Sequence, residues 1–290
     1  MTRNWDIENR IQKVLTYVHY NIGEKHSLEK LADIGSISPY HFHRLVRKYM
    51  NEPLGAYIKR YRMETAYRFI TTTNKSITEI AYKMGYDTIS SFSKAFSLHF
   101  KFSPKDLRAN KDHLKSCTNF NIRNIGKYIS TSHSISETPI ITEQSEYQIA
   151  YRPVIGIGQG QMLKAWDKLQ KFIKNNNMDE LYLDHLGIFY NSPHTTELNK
   201  IRHEACIRIE NDLPRDENLF FRTIPQSKTA IFRHKGPYYN ICKSMEYIIH
   251  KWLPQSKESL SELPITHKYI NNPETTPSQD LLIDIHIPLE

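Results

Sequence analysis

SLEKLADIGSISPYHFHRL (residues 27–45) and SITEIAYKMGYDTISSFSK (residues 76–94) are two versions of the same pattern. Apolar, glycine and cationic positions recur at offsets of 49 and then 50: Leu31 and Ile80, Ala32 and Ala81, Gly35 and Gly85, Phe42 and Phe92, Arg44 and Lys94. Each copy predicts a short helix, a turn that contains glycine, and a second helix, which is the helix-turn-helix plan. Because the second helix of such a unit enters the major groove, the sequence predicts a chain that grips duplex DNA at two adjacent places.

Residues that cap helix N-termini mark the start of the predicted helices. Ser27 and Thr88 stand at N-cap positions, and Ser38 is followed by a proline at the first helical position. Ser76 and Glu79 have the spacing of a capping box. These local signals predict two helices in each unit.

A longer helical pattern connects the two units, from Leu54 to about Thr71. A helix of that length spans roughly 27 Å, at ~1.5 Å per residue. Such a strut can hold two recognition helices about one DNA turn apart, near ~34 Å. The alternative is that it is simply a core helix.

The basic excess of the chain is confined to its first part. The 290 residues are enough for two domains and have a net charge of +8. Residues 1–115 hold 20 Lys and Arg against 11 Asp and Glu, whereas residues 116–290 have a net charge of −1. A phosphate backbone is attracted by such a field whatever its base sequence, so the charge supports a nucleic-acid partner for the repeated units.

The remaining composition argues against other classes of protein. No apolar run approaches the ~18 residues of a membrane span, and the first residues do not resemble a secretory signal. Cys117, Cys206 and Cys242 are odd in number and widely spaced, so neither a disulfide framework nor a zinc site is indicated. We expect a soluble, cytoplasmic protein with no membrane partner, metal or other cofactor.

The pattern changes after the helical units. Residues 113–137 contain many Ser, Thr and Asn residues without helical or strand periodicity, which indicates a linker. Residues 138–290 show the order strand–helix–strand–strand twice. The predicted fold class is an all-α double helix-turn-helix domain over residues 1–112, followed by an α+β domain with duplicated strand–helix–strand–strand units on an antiparallel sheet, with helices on one face.

Both parts resemble known families. Residues 1–112 resemble an AraC/XylS-type DNA-binding domain, in a run that includes Ile80-Ala-x-x-Met-Gly-Tyr-Asp and Phe96-x-x-x-Phe100-x-x-Ser-Pro104-x-x-Leu-Arg108. Residues 138–290 resemble the GyrI-like effector-binding domain through Ala165-Trp166, His234-x-Gly-Pro-Tyr238, Trp252-Leu-Pro254 and Ile285-His-Ile-Pro-Leu289. Together the resemblances imply a transcriptional regulator whose second domain binds a small ligand or a partner.

The first resemblance implies which side chains meet DNA. By position, the recognition helices present Tyr40, His43, Arg44 and Arg47 in the first unit and Ser90, Ser91, Ser93 and Lys94 in the second. Arg44 can fork onto guanine or phosphate, while Lys94 offers a point charge at the equivalent position. Because Ser hydroxyls make weak, adaptable contacts, we expect the second helix to read sequence less strictly. The alternative for Arg44 is a solvated surface charge.

The second resemblance implies acidic residues on the late strands that meet cationic aromatic ligands. Here His267 replaces the first Glu, two residues before Tyr269, and Asp284 keeps the second acidic position, with His286 two residues later. Because residues i and i+2 of a strand share a face, we expect these side chains to converge on one pocket. Its candidate aromatic walls, each of which has a core residue as its alternative reading, are Trp166, Phe189, Tyr190, Phe232 and Tyr238.

The two histidines change the ligand that the pocket is expected to take. Partly protonated imidazoles would favour neutral or weakly anionic aromatic compounds over cations. Asp284 beside His286 would raise the affinity of a histidine for protons, which predicts ligand binding that is sensitive to pH between about 6 and 8.

The sequence therefore predicts a sequence-specific DNA-binding transcriptional regulator, expected to be an activator that also contacts RNA polymerase, with a small aromatic ligand in its second domain and no catalytic residue. Two alternatives stay open for that domain. Some proteins of the GyrI-like fold are hydrolases that use a pocket Glu with Tyr, and others bind a protein such as gyrase. The missing Glu at position 267 argues against hydrolysis, although Asp284 and the histidines are candidate acid–base groups.

Overall fold

The computed structural model of the chain consists of two compact units, Met1–Ser116 and Cys117–Glu290. It describes residues 2–109, 134–156, 159–178, 183–193, 195–210, 216 and 218–290. Most of the predicted linker, residues 113–133, lies outside the described residues. Within the described residues, the helices are too short or too polar to cross a lipid bilayer.

The first unit is helical throughout its described part. Its helices are α1 (Thr2–Tyr20), α2 (Leu28–Ile34), α3 (Pro39–Met50), α4 (Leu54–Thr72), α5 (Ile77–Lys83), α6 (Ile89–Phe100) and α7 (Pro104–Ala109). The pairs α2–α3 and α5–α6 are the two predicted helix-turn-helix units, and α4 is the predicted strut between them. The double helix-turn-helix fold is thus confirmed.

The predicted caps form, with one difference. The Ser27 hydroxyl accepts a hydrogen bond from the backbone N–H of Lys30, and Ser76 and Glu79 make both bonds of the capping box. Ser38 makes no side-chain cap bond. There the proline at the first helical position has no N–H to satisfy and fixes φ near the helical value, so α3 starts without a hydroxyl cap.

A side chain of the strut α4 joins the two helix-turn-helix motifs of the first unit through backbone groups. The Arg62 guanidinium in α4 donates to the backbone oxygens of Ile22 (2.9 Å) and Glu24, in the turn that precedes α2. Gly85, in the turn between α5 and α6, lies against the Gly23 backbone and the same guanidinium. The two turns therefore contact each other beside Arg62, which fixes the two helix-turn-helix motifs of the first unit in one arrangement.

The second unit is built on one antiparallel sheet. The described strands are β1 (Ser134–Ile135), β2 (Ile140–Gln144), β3 (Tyr147–Ile155), β4 (His185–Phe189), β5 (Arg202–Ile209), β6 (Phe220–Ile224), β7 (Ser227–Lys235), β8 (Ile265–Tyr269) and β9 (Leu282–Pro288). Their order in the sheet is β1-β7-β9-β8-β4-β5-β3-β6, and β2 also pairs with β7. Residues Ser134–Ile135, which the sequence assigned to the linker, pair with β7 instead.

The sheet is an internal duplication, as predicted. β3 begins at Tyr147 and β7 at Ser227, 80 residues later, and β4 and β8 begin at His185 and Ile265, again 80 residues apart. Each half also contains a strand that the sequence pattern did not predict. These strands, β2 and β6, are exchanged, because β2 pairs with β7 of the second half and β6 pairs with β3 of the first half.

Helices cover one face of the sheet. They are α8 (Gln159–Asn175) in the first half and α9 (Ile241–Tyr247) in the second half, where a π-helical turn (Ile248–Trp252) and α10 (Leu253–Gln255) follow. Under α8, Leu169, Phe172 and Ile173 pack on Ala150, Val154 and the inward side chains of β5. In the second half His234 bonds to Ser244 of α9 (2.8 Å). We refer to this side as the helix-covered face.

The contact between the two turns of the first unit predicts a specific effect of adding one methyl group. Gly85 has φ +76°, and a Cβ there would lie well inside van der Waals contact with the Gly23 carbonyl oxygen. We expect Gly85→Ala to lower the free energy of unfolding by about 1–3 kcal/mol, through the strained φ and the lost backbone contact. Urea unfolding followed by helical circular dichroism measures it.

Gly55→Ala is the matched control. Gly55 lies in the first turn of α4 with open space around it, so the same substitution should leave stability unchanged or raise it by about 0.5–1 kcal/mol. Equal effects of the two substitutions would show that the contact between the turns carries no stability.

Candidate functional site

Helix α3 presents the predicted DNA-binding side chains on one exposed face. Phe42, Val46 and Met50 are buried in the core of the unit, whereas Tyr40, His43, Arg44 and Arg47 point to solvent. Tyr40 is 81% exposed, which is unusual for an aromatic side chain and leaves its whole ring available to a partner. The face has the composition expected of a helix that reads a groove: two cations, an imidazole and a ring.

A positively charged groove continues from this face to the end of α3. Its lining residues are Arg44, Arg47, Lys48, Asn51, Glu52 and Pro53. The one carboxylate among them, Glu52, is bound by Arg60 of the strut at 2.5 Å. Arg60 also binds Glu64 at 3.2 Å, so one guanidinium is shared between two carboxylates. The groove has three cationic side chains against one paired carboxylate, and this excess of positive charge suits a phosphate backbone.

Helix α6 presents a smaller and less charged face. Ser90, Ser91 and Lys94 are exposed and Ser93 is half-buried. The Ser91 hydroxyl donates to the Thr88 backbone oxygen and accepts from the Thr88 hydroxyl, each at 2.9 Å, so it takes part in the N-cap of its own helix. Contact of Ser91 with DNA would compete with that cap, which leaves Ser90, Ser93 and Lys94 as the readily available groups.

A cluster of aromatic and imidazole side chains lies on the helix-covered face of the second unit. In the pairing of β4 with β8, Gly187 lies opposite His267 and His185 lies opposite Tyr269. These four residues therefore lie on the same face of the sheet. Trp166 from α8 packs edge-on against the Tyr269 ring, with centroids 5.9 Å apart. The Tyr238 ring lies 5.4 Å from Tyr269.

Gly187 provides the space in which these rings meet. A Cβ at this position would lie 2.7 Å from the Tyr269 hydroxyl oxygen and 3.0 Å from the Phe189 ring. Phe189 in turn contacts the His267 ring, with centroids 4.5 Å apart. The structure therefore brings together Trp166, Phe189, Tyr238, His267 and Tyr269, which we call the pocket cluster.

Asp284 and His286 do not join the pocket cluster, which corrects the expected convergence. In the pairing of β8 with β9, Asp284 lies opposite Lys268 and His286 opposite Thr266, so both point to the face away from the helices. The Asp284 carboxylate instead binds the Arg233 guanidinium through both of its oxygens. Residues i and i+2 do share a face within each strand. The register between β8 and β9, however, puts His267 and Tyr269 on one face of the sheet and Asp284 and His286 on the other.

Tyr190 and Phe232 also lie elsewhere. The Tyr190 hydroxyl accepts a hydrogen bond from Arg222 (2.9 Å), and the same guanidinium binds the buried Glu204 at 2.5 Å. Phe232 is fully buried against the Trp252 ring, with centroids 4.9 Å apart. Tyr190 thus belongs to a buried ionic cluster, and Phe232 is a core residue.

His203 belongs to the same face as the pocket cluster and was missed by the sequence analysis. It lies on β5 opposite Phe189 and stacks on that ring, with centroids 5.7 Å apart and 14° between the planes. His203 and His267 thus flank Phe189 from the two neighbouring strands. A lone histidine in a predicted strand gives no sequence signal of this kind, because the neighbouring strand is known only from the register.

Burial keeps both of these imidazoles neutral. Desolvation lowers the pKa of His203 to about 4, and desolvation together with the nearby His234 and His286 lowers the pKa of His267 to about 3. Burial also lowers the pKa of His286, against the raising effect of Asp284. The expected partial protonation near neutrality is therefore wrong, because burial outweighs the neighbouring carboxylate.

A metal centre is not indicated in the part of the chain that the structure describes. No group of three or more His, Cys, Asp or Glu side chains there is arranged to hold an ion. The described cysteines Cys206 and Cys242 are free thiols.

Comparison with known proteins assigns each unit a counterpart. Residues 137–290 match the GyrI-like small molecule binding domain family, and residues 31–110 match a helix-turn-helix domain family. The HTH-type transcriptional activator AarP of Providencia stuartii is 33% identical over 94 residues, which are 32% of this chain and 70% of that protein. The HTH-type transcriptional activator RhaS of Enterobacter sp. (strain 638) is 28% identical over 103 residues, 36% of this chain and 37% of RhaS, so the chain spans only about a third of it.

A solved structure is also similar. The crystal structure of the EcmrR C-terminal domain aligns with a TM-score of 0.45 at 17% identity, covering 55% of this chain and 98% of that domain.

The buried imidazoles predict how stability depends on pH. The ordinary pKa of 6.5 applies to His203 in the unfolded chain, against about 4 in the folded protein. Between these values the unfolded chain binds a proton that the folded protein does not, so the free energy of unfolding should fall as pH falls from 6.5 to 4. The expected slope is about 1.4 kcal/mol per pH unit for each such group.

Urea unfolding followed by tryptophan fluorescence across this pH range measures the slope. His203→Phe should remove the contribution of one group and leave that of His267. An unchanged slope in His203→Phe would show that this imidazole is already protonated or exposed in the folded protein.

Proposed function

The chain belongs to the GyrI-like small-molecule-binding family and carries an AraC-type helix-turn-helix domain, which makes it a DNA-binding transcriptional regulator. From this premise we propose that α3 and α6 enter successive major-groove segments of one DNA site, and that a ligand in the pocket cluster modulates the regulator. The exposed cationic face of α3, with Glu52 paired to Arg60, is the observation that supports the first part.

The arrangement of the first unit suits two adjacent grooves. The strut α4 has 19 residues, a length of about 28 Å, which is comparable to the ~34 Å of one DNA turn. Because Arg62 and the Gly23–Gly85 contact join the two turns, the recognition helices are held in a fixed relation before they meet DNA. A single chain then supplies both reading helices.

The two helices contribute different chemistry to recognition. Arg44 offers a planar fork that matches the two acceptors on the major-groove edge of guanine, whereas Lys94 offers a flexible point charge. Ser90 and Ser93 add small hydroxyl groups beside Lys94. We propose that α3 selects the base sequence and that α6 mainly adds affinity through the backbone.

The pocket cluster suits a small planar ligand. Trp166, Tyr238 and Tyr269 give ring walls that are only half-buried, and such rings bind flat apolar surfaces by stacking and edge contacts. AarP and RhaS are named transcriptional activators. We propose that this regulator also activates transcription, through contact with RNA polymerase, and that the bound ligand sets how far it does so.

The different roles of the two helices can be tested on single-base variants of the DNA site. Arg44→Ala should weaken binding to the best site by about 1–3 kcal/mol and relax the base preference at one position, because a bidentate hydrogen bond to guanine is lost. Lys94→Ala should weaken binding to all variants by a similar factor, because a backbone contact is lost. If Arg44→Ala lowers every affinity equally, Arg44 binds phosphate and the proposed division of roles is wrong.

The fragment 1–112 should bind DNA without the second unit, because both recognition helices and the strut lie within it. We expect it to bind as a monomer, with log K falling by roughly 0.9 per phosphate contact for each tenfold rise in salt. Gel-shift titrations at several salt concentrations, combined with sedimentation of the complex, measure both properties. A folded fragment that binds only as a dimer would contradict the proposal that one chain supplies both helices.

A further inference from the structure

Several polar atoms in the pocket region are buried without a hydrogen-bond partner among the described residues. They are both ring nitrogens of His203, Nδ1 of His267 and the hydroxyl of Tyr238. His203 is 3% exposed and His267 is 6% exposed, so these nitrogens are also shielded from bulk water. The two imidazoles are held on opposite sides of the same ring, Phe189.

Leaving such groups unsatisfied is costly. A buried donor or acceptor without a partner costs about 1–3 kcal/mol, and native proteins contain few of them. A core built for stability alone would place apolar side chains at these positions, as the neighbouring Ala205 and Ile207 on β5 illustrate. Several unsatisfied groups around one ring indicate a site whose hydrogen bonds are completed by a bound molecule.

His185 shows what a satisfied imidazole on the same face looks like. It lies on β4 beside Trp166, with ring centroids 5.8 Å apart, and its Nδ1 bonds to the Leu183 backbone oxygen at 3.2 Å. That histidine has a local partner, and it is half-buried at the edge of the cluster. The unsatisfied atoms are therefore confined to His203, His267 and Tyr238 within this group of side chains.

The charge of the surroundings selects the ligand further. Neutral imidazole has one donor and one acceptor, and a tyrosine hydroxyl can act as either. β4 and β8, which form the floor, contain no Asp or Glu. The lysine of β8, Lys268, is bound to Asp184 at 2.6 Å and lies on the opposite face. A cation that entered this cluster would lose its hydration shell without gaining an ion pair with a carboxylate of β4 or β8.

We infer that the pocket cluster together with His203 forms a site for a neutral, planar aromatic molecule that carries both a hydrogen-bond donor and an acceptor, with His203 and His267 as the residues that determine this preference. The inference rests on the proposed ligand-binding role of the same cluster. An aromatic amide or a lactam-containing heterocycle has this chemistry. A quaternary aromatic cation lacks it.

Three fragment-sized probes of similar shape test the inference on the full-length protein: benzamide, cumene and phenyltrimethylammonium. Benzamide has a donor and an acceptor, cumene has neither, and phenyltrimethylammonium has a permanent charge. Competition measured by ligand-observed NMR should give the wild type at least tenfold tighter binding of benzamide than of either other probe. One to two hydrogen bonds to the histidines account for a factor of that size.

Variants separate the two histidines from the rest of the cluster. His203→Phe keeps the stacking on Phe189 and should bring benzamide down to the affinity of cumene. His267→Glu introduces a carboxylate into the floor and should make phenyltrimethylammonium the preferred probe. His185→Phe is the matched control, and because His185 already has a partner it should keep the wild-type order.

The outcomes distinguish the ligand class from the site itself. If the wild type binds phenyltrimethylammonium or cumene as tightly as benzamide, the inferred ligand class is wrong and the site for small molecules stands. If neither the wild type nor His267→Glu binds any of the three probes, the proposed ligand-binding role of the cluster fails as well. An equal loss of preference in His185→Phe and His203→Phe would overturn the assignment of His203.

Discussion

The antiparallel pairing of β4 with β8 is the interaction on which the second unit depends. It joins the two halves of the duplicated sheet, and its register places Gly187 directly opposite His267. These two residues are equivalent positions of the repeat, since His267 follows Gly187 by the same 80 residues that separate β4 from β8. One half therefore leaves space where the other half places an imidazole, and the rings of Phe189 and Tyr269 close around that space. A symmetric duplication thus produces an asymmetric cluster of rings, because the two equivalent positions of the repeat hold a glycine and a histidine.

The buried histidines on this face lower the stability of the unit, and the proposed ligand would offset that cost. His203 and His267 are neutral because the sheet and its helices exclude water from them, and exclusion of water also makes their unsatisfied nitrogens costly. On the other face the equivalent problem is solved internally: Glu204 is completely buried but bound by Arg222. The buried carboxylate of Glu204 thus has a cationic partner within the sheet, whereas both ring nitrogens of His203 and Nδ1 of His267 have no hydrogen-bond partner among the described residues.

The features that the sequence predicted correctly depend on local signals. The caps at Ser27, Ser76 and Thr88 and the turn at Gly85 act over three or four residues, so their spacing alone specifies α2, α5 and α6. The pocket depends on contacts between strands, which alternation within a strand does not contain. Asp284 was assigned to the wrong face for that reason. His203 was missed because its meaning comes from Phe189 on the next strand. The exchanged strands β2 and β6 were missed because each completes the half to which it does not belong in sequence.

In the first unit the close backbone contact has a consequence for recognition. Arg62 and the Gly23–Gly85 contact fix the two turns when the protein folds. The two helix-turn-helix motifs therefore need no further ordering relative to each other in the proposed binding to DNA. The entropy cost of aligning two reading helices is then met during folding, and the second helix acts at a high effective concentration once the first is bound. Weak contacts suffice under that condition. In the proposed docking, α6 can therefore contribute to binding with serines and a single lysine, although α3 has the stronger chemistry.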